Sequence, residues 1–180
     1  QFLTIESKEY VATLSLGTST DTYDASGKII ETKEFHALDN NEIVACFNNF
    51  IGSQEQKPPI YSAIKVNGKK LYEYARAGEQ VEVPTRSVTV NHLEILQIEN
   101  NLIKFKVGCS KGTYIRSLCY DLAKALGYPG HMKDLIRTKS GNFSLENCFT
   151  LEQIENGEYT TVSLEEALNS YQQLVVEDEK

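Results

Sequence analysis

Between Ile103 and Gly127 the apolar period changes from two residues to about 3.6, so a strand must hand over directly to a helix. Ile103, Phe105, Val107 and Cys109 alternate with Lys104, Lys106 and Gly108, as in a half-buried strand. Ile115, Leu118, Leu122 and Ala125 then recur at helical spacing, and Gly127 supplies a stop. The junction is Ser110-Lys111-Gly112-Thr113-Tyr114-Ile115-Arg116, a basic turn hinged on glycine that leaves an arginine in the first turns of the helix. Such a junction points backbone N–H groups and Arg116 at one spot, which suits a carboxylate, a phosphate or both.

Upstream, Tyr10, Ala12, Leu14 and Leu16 predict a strand that ends at Gly17. A polar loop over 18–27 holds Asp21 and Asp24 and turns at Ser26-Gly27 into a strand-like stretch from Lys28 to Phe35. Asp39 is placed to N-cap a helix whose buried stripe is Ile43, Phe47, Phe50 and Ile51, with Gly52 as its end. Lys57 to Pro84 reads as an excursion, with Pro58-Pro59, a short strand from Tyr61 to Val66, an Asn67-Gly68 turn, and two helical turns over Lys69 to Arg76 ended by Gly78. Arg86 to Cys109 predicts an antiparallel hairpin turned at Asn100-Asn101. A bulge is expected between Val88/Val90 and Leu93/Ile95, whose parities differ. Gly127 to Gly130 is a loop before a basic strand from His131 to Lys139, and Ser163 with Glu166 marks a helix over about 164–170.

The length and a 41% apolar content fit one compact domain, or one domain and part of another. No apolar run approaches the roughly 20 residues that span a bilayer, and the first residues lack a signal pattern, so a cytoplasmic protein is expected. Cys46, Cys109, Cys119 and Cys148 form no C-x-x-C pair, which favours reduced thiols over disulfides or zinc. The net charge of −7 lies entirely in residues 151–180, leaving a neutral body. Two basic segments stand on that body, 57–76 and 104–139. They are either ordinary solvated faces or, with interleaved tyrosines, a nucleic-acid surface.

Candidate acids, bases and nucleophiles are few: Asp21, Asp24, Tyr10, Tyr114, Lys65, Arg116 and three histidines, with no triad spacing among them. His36, His92 and His131 lack the intervals of metal ligands and read as structural or surface residues. Asp24 either reaches a cleft and meets Arg116 or forms an Asx turn before Gly27. Tyr10 is either a site residue or a core aromatic. The residues alone predict an α+β domain with a basic, tyrosine-rich surface and an arginine–carboxylate site.

Three motifs in order carry a resemblance. They are Leu16-Gly17 through Thr20-Asp21-Thr22-Tyr23-Asp24 to Gly27; Pro58-Pro59-Ile60-Tyr61-Ser62-Ala63-Ile64-Lys65 through Tyr72 to Ala75-Arg76; and Cys109 through Arg116. From about residue 3 to 155 the chain resembles the bacterial tRNA pseudouridine synthase B (TruB) family, isomerases that convert uridine-55 in the T-arm of tRNA to pseudouridine. The resemblance implies a mixed, mainly antiparallel sheet with flanking helices, no cofactor, no metal, no membrane, and tRNA as partner.

By the same resemblance Tyr10 is the active-site tyrosine that stacks on the target uracil, Arg116 the arginine that pairs with the nucleophilic aspartate, and Asp24 an acidic partner in that cluster. Tyr114 and Leu135 match positions that contact the uridine, and Lys65 a lysine at the base of an inserted thumb, here about 57–84. Lys69, Lys70, Arg76, Lys111 and Arg137 are the residues expected to meet RNA. Extracting the base costs a few kcal/mol of unstacking, against which an aromatic stack returns about 1–3 kcal/mol. Arg116 would keep an aspartate ionised, as a nucleophile requires.

The family's nucleophile lies in a Gly-Thr-Leu-Asp-Pro motif upstream of the strand matched by Tyr10 to Leu16, and this sequence has no such motif. Nor does the resemblance extend to a carboxy-terminal PUA-type domain. The expectation is a partial catalytic domain over 1–155, inactive alone, and an acidic helical tail or linker over 156–180 that frays past Val176. A self-association contact or local disorder near residues 1–6 is expected as well. The alternative is a non-catalytic RNA-binding or RNA-remodelling module that uses the same surface.

Overall fold

The alternation that marks Tyr10 to Leu16 puts every second side chain of β1 (Lys8–Leu16) into the core: Ala12 and Leu16 are 1% exposed and Leu14 not at all. In the computed structural model, which describes residues 7–168, β1 pairs antiparallel with β8 (Leu102–Cys109), so that Ala12 faces Phe105 and Leu14 faces Ile103. β8 pairs in turn with β7 (Arg86–Glu99), and β1 on its other side with β9 (Gly130–Ser140). A fifth strand, β4 (Gly52–Gln56), adds antiparallel to β7, giving the order β9-β1-β8-β7-β4. The predicted bulge lies between Val90 and His92.

Two helices cover the apolar face. α1 (Asn40–Asn48) starts as its sequence predicts, with the Asp39 carboxylate accepting the Asn41 N–H at 2.7 Å. Its Phe47 meets Phe105 edge-on, with ring centres 5.4 Å apart. α3 (Ile115–Ala125) buries Ile115, Leu118, Cys119, Leu122 and Ala123, and full burial of each large aliphatic here stabilises by roughly 1.5–3 kcal/mol. Gly127, at φ +80°, ends it. The other face is polar: Glu9 meets Lys106 at 3.2 Å and His92 at 3.4 Å and accepts the Thr138 hydroxyl at 2.8 Å, a cluster spanning four strands.

Several expected boundaries move. Gly52 does not simply end a helix but opens β4, and Ile51 is 45% exposed rather than part of the stripe. After the small strand β2 (Thr18–Thr20), the stretch expected from Lys28 to Phe35 pairs only as β3 (Ile29–Thr32), all of it exposed. In the excursion, the strand expected from Tyr61 to Val66 shrinks to β5 (Lys65–Val66). It pairs with β6 (Lys69–Lys70) before α2 (Leu71–Ala77), which Gly78 ends in the left-handed conformation.

The described residues up to Gly141 form one compact unit and those from Asn142 another. The second contains β10 (Phe143–Ser144), α4 (Leu151–Glu155) and α5 (Leu164–Ala167). The Ser163 hydroxyl caps α5 by accepting the Glu166 N–H. The expectations for residues 1–6, the end of the 164–170 helix and the acidic tail lie outside the described residues. No helix among them is long and apolar enough to cross a membrane. All four cysteines are free thiols, and burial pushes those of Cys109 and Cys119 up, so they stay protonated.

Candidate active site

Arg116, in the first turn of α3, ties three segments together. Its Nη1 donates to the Thr22 carbonyl at 3.0 Å and to Asp24 Oδ2 at 3.2 Å, and its Nη2 donates to the Tyr61 carbonyl at 2.8 Å. The loop after β2, the root of the excursion and the helix start thus converge on one guanidinium. Two of its five N–H groups have no acceptor among the described residues.

The loop is built to present Asp24. The Lys28 N–H is taken by Asp21 Oδ1 at 2.8 Å, Tyr23 adopts φ 62°, and a Cβ at Gly27 would collide with Thr22 and Asp21, so only glycine fits the turn. The loop then docks on β9: the Met132 N–H donates to the Tyr23 carbonyl at 2.9 Å, and the Ala25 N–H to the Met132 carbonyl at 3.0 Å. Asp24 both closes the Asx turn and meets Arg116. Oδ1 accepts the Ser26 N–H, the Ser26 hydroxyl and the Thr22 hydroxyl as an Asx turn, while Oδ2 meets Arg116. Burial works against ionisation, but hydrogen bonds from Ser26 and Thr22 and the Arg116 charge outweigh it and hold the carboxyl below its ordinary range.

The start of α3 is fastened from outside. Gln56, 3% exposed at the end of β4, accepts the Tyr114 N–H at 2.8 Å and donates to the Tyr114 carbonyl at 3.1 Å, while the Ser117 hydroxyl donates to the Lys57 carbonyl at 2.8 Å. Tyr114 is therefore N-cap of the helix without a capping side chain of its own.

Tyr10 and Leu135 come from the sheet. Tyr10 pairs with Arg137 and Ala12 with Leu135, so Tyr10, Leu135 and Arg137 share one face of β1 and β9. Leu135 is 38% exposed, and Tyr10 packs half-buried against the core. Burial pushes the Tyr10 phenol up, with Arg137 pulling the other way, so it keeps its proton at neutral pH. Met132, docked to the Asp24 loop, lies three residues from Leu135 on β9, about 10 Å at strand rise. The Arg116–Asp24 pair and the Tyr10–Leu135–Arg137 patch are thus placed along the same strand. Cavities of about 360 and 240 Å³ lie elsewhere, at the end of α3 and around Thr13 and Lys104.

The basic residues of the excursion stand on their own tyrosines. Lys69 lies 4.6 Å from the Tyr74 ring centre and pairs with Glu79 at 2.8 Å; Lys70 and Arg76 lie 5.4 and 5.2 Å from the Tyr72 ring. Lys65 and Lys111 are exposed. Sequence reasoning missed Gln56, Thr22, Tyr61 and the stack of Tyr23 on Tyr120, with ring centres 4.2 Å apart. Thr22 and Tyr61 meet Arg116 through carbonyl oxygens, which no side-chain pattern reveals. A glutamine just before Lys57 and the two prolines was the one available signal.

Comparison with known proteins agrees with this architecture. Residues 1–115 match the N-terminal domain of the TruB family pseudouridylate synthases, and residues 116–175 match the tRNA pseudouridylate synthase B C-terminal domain. The chain is 44% identical over 193 residues to tRNA pseudouridine synthase B of Bacillus anthracis, covering all of this chain and 63% of that protein. It is likewise 44% identical over 179 residues to the enzyme of that name from Clostridium tetani, 98% of this chain and 62% of that one. The chain therefore spans less than two thirds of the length of these relatives. Among solved structures, a Cbf5-Nop10-Gar1 complex superposes with a TM-score of 0.60 at 30% identity, over 83% of this chain and 35% of the other. An H/ACA RNP bound to a substrate RNA containing 2'-deoxyuridine superposes with a TM-score of 0.58 at 26% identity, over 87% and 38%.

Proposed function

Since the chain belongs to the TruB family of pseudouridylate synthases, we propose that it forms the uridine-holding part of a cytoplasmic tRNA pseudouridine-55 synthase acting on the T-arm. The reaction is an isomerisation in which the N1–C1′ bond of uridine breaks, the uracil turns in place and a C5–C1′ bond forms, while the C5 proton leaves to solvent and N1 takes one up, with no net redox change. In this reading Tyr10 stacks on the extruded base, Leu135 closes its other side, Tyr114 borders it, and Arg137 steadies the Tyr10 phenol. Arg116 offers its remaining N–H groups to a nucleophilic carboxylate and keeps that group ionised. Asp24 orients the guanidinium rather than attacking. Lys65, Lys69, Lys70, Arg76 and Lys111 meet RNA phosphates.

The observation that carries this reading is the Arg116 guanidinium, fixed by the Thr22 and Tyr61 carbonyls and Asp24, with two donors that have no acceptor among the described residues. Having no Gly-Thr-Leu-Asp-Pro motif, the 180-residue chain is proposed to bind T-arm RNA without converting it. The test is tritium release from a T-arm stem-loop carrying 5-tritiated uridine. The gene product containing this chain should release tritium, its Arg116→Ala variant should not, and the isolated chain should bind without release. Release by the isolated chain would refute the missing-nucleophile account. Binding without release by the whole gene product would favour a non-catalytic RNA-binding module.

A further inference from the structure

Arg116, Tyr120 and Lys124 stand four residues apart on α3 and form one stripe along the helix. Tyr120 lies about 6 Å and Lys124 about 12 Å along the axis from Arg116. Tyr120 is stacked on Tyr23, the neighbour of Asp24, and Lys124 is exposed in the last turn. The stripe leads from the candidate active site into the cavity of about 360 Å³, lined by Glu31, Lys33, Tyr120, Lys124, Tyr128 and Pro129.

The cavity walls are held from behind. The Lys33 ammonium donates to the Gly127 carbonyl at 2.7 Å and lies 4.6 Å from the centre of the Tyr128 ring. Tyr128 tilts against Phe35, with ring centres 5.2 Å apart, and its hydroxyl donates to the His36 carbonyl. Two fixed aromatic rings, two ammonium groups and one carboxylate therefore surround a space large enough for a small planar ligand. Rings suit a base, ammonium groups suit a phosphate, and the Glu31 carboxylate can accept from an exocyclic amino group.

We propose that this cavity is a second nucleotide site, holding a residue that neighbours the target uridine on the same RNA strand, with its phosphate on Lys33 and Lys124 and its base against Tyr128. The inference rests on the RNA reading above and names where the strand continues after the uridine leaves the stack. Its energetic role is to bind the strand in the extruded conformation, offsetting unstacking at a point remote from the reacting ring.

The experiment measures binding of a T-arm stem-loop to the whole 180-residue chain by fluorescence anisotropy at several salt concentrations. The linkages beside the target uridine are replaced one at a time by neutral methylphosphonate. Lys124→Gln should weaken the unmodified RNA about fivefold and lower the slope of log affinity against log salt by about 0.7. At one flanking linkage, methylphosphonate RNA should lose nothing further from Lys124→Gln. Lys33→Gln should behave alike; since it loses internal contacts and Lys124→Gln loses the charge that faces Asp121, both results are read beside a melting curve. If the wild type binds but Lys124→Gln changes nothing, or its effect multiplies with methylphosphonate at every linkage, the second site is wrong and the RNA reading stands. A wild type that does not bind the RNA overturns both.

Discussion

The two oxygens of Asp24 serve different ends, one closing a turn and the other meeting Arg116. The sequence posed these as alternatives because an Asx residue before glycine and a carboxylate facing an arginine look identical along the chain. Since the folded carboxyl titrates below its unfolded value, ionised Asp24 adds stability that is fully present above the unfolded pKa, about 3.9. That contribution is lost as pH falls through the folded pKa. Urea unfolding at stepped pH should therefore show Asp24→Asn less stable than wild type at neutral pH, the gap narrowing below about pH 4. A gap independent of pH would contradict the assignment. Glu9 is shifted in the same direction, although burial opposes it, through Thr138, Lys106 and His92; the variant therefore keeps some acid sensitivity. Arg116→Ala removes the guanidinium that three acceptors share and should cost about 2–4 kcal/mol in the same assay. A loss under 1 kcal/mol would show the clamp to be weak.

At the scale of elements, α3 depends on a residue from another strand. Gln56 meets both backbone groups of Tyr114, and its removal takes the acceptor from the Tyr114 N–H at a half-buried helix start, while the carbonyl keeps the Leu118 N–H. Gln56→Ala should destabilise by about 1–3 kcal/mol, read as a lower urea midpoint with unchanged slope. An unchanged midpoint would mean that other donors cap the helix. β1, β8, α1 and α3 were legible because their buried residues repeat at the period of the element, as Leu14, Phe105, Phe47 and Leu118 do. β4 was not. Gly52-Ser53-Gln54-Glu55-Gln56 is a polar edge strand without alternation, and its pairing with β7 is decided by partners distant in sequence. The thumb was legible in outline through Asn67-Gly68 and Gly78, yet not in its contacts. Nothing in the spacing says that Lys70 and Arg76 share the ring of Tyr72. Charge reversal of Lys69 and Lys70 to Glu should weaken T-arm binding in a salt-dependent manner with little change in stability, since the Lys69–Glu79 pair is partly exposed.

At the scale of the molecule, the sheet of the first unit turns an apolar face to two helices and a charged face outward. β1 and β8 are each paired on both sides. Their amides, from Ala12 to Leu14 and from Ile103 to Val107, should be the last to exchange with deuterated water; slower exchange in α2 would contradict this. The strand order could not be read from the chain, because which strand lies beside β1 depends on the whole apolar surface. The functional roles came from motif order, and the structure adds the clamp that joins all three of those motifs at Arg116. The most direct test of that account is a T-arm stem-loop carrying 4-thiouridine at the target position, irradiated on the 180-residue chain and mapped by mass spectrometry. Crosslinks in β1 and β9, at Tyr10 or beside Leu135, and their loss in Arg116→Ala are predicted. Crosslinks confined to residues 142–180, or unaffected by that substitution, would contradict it.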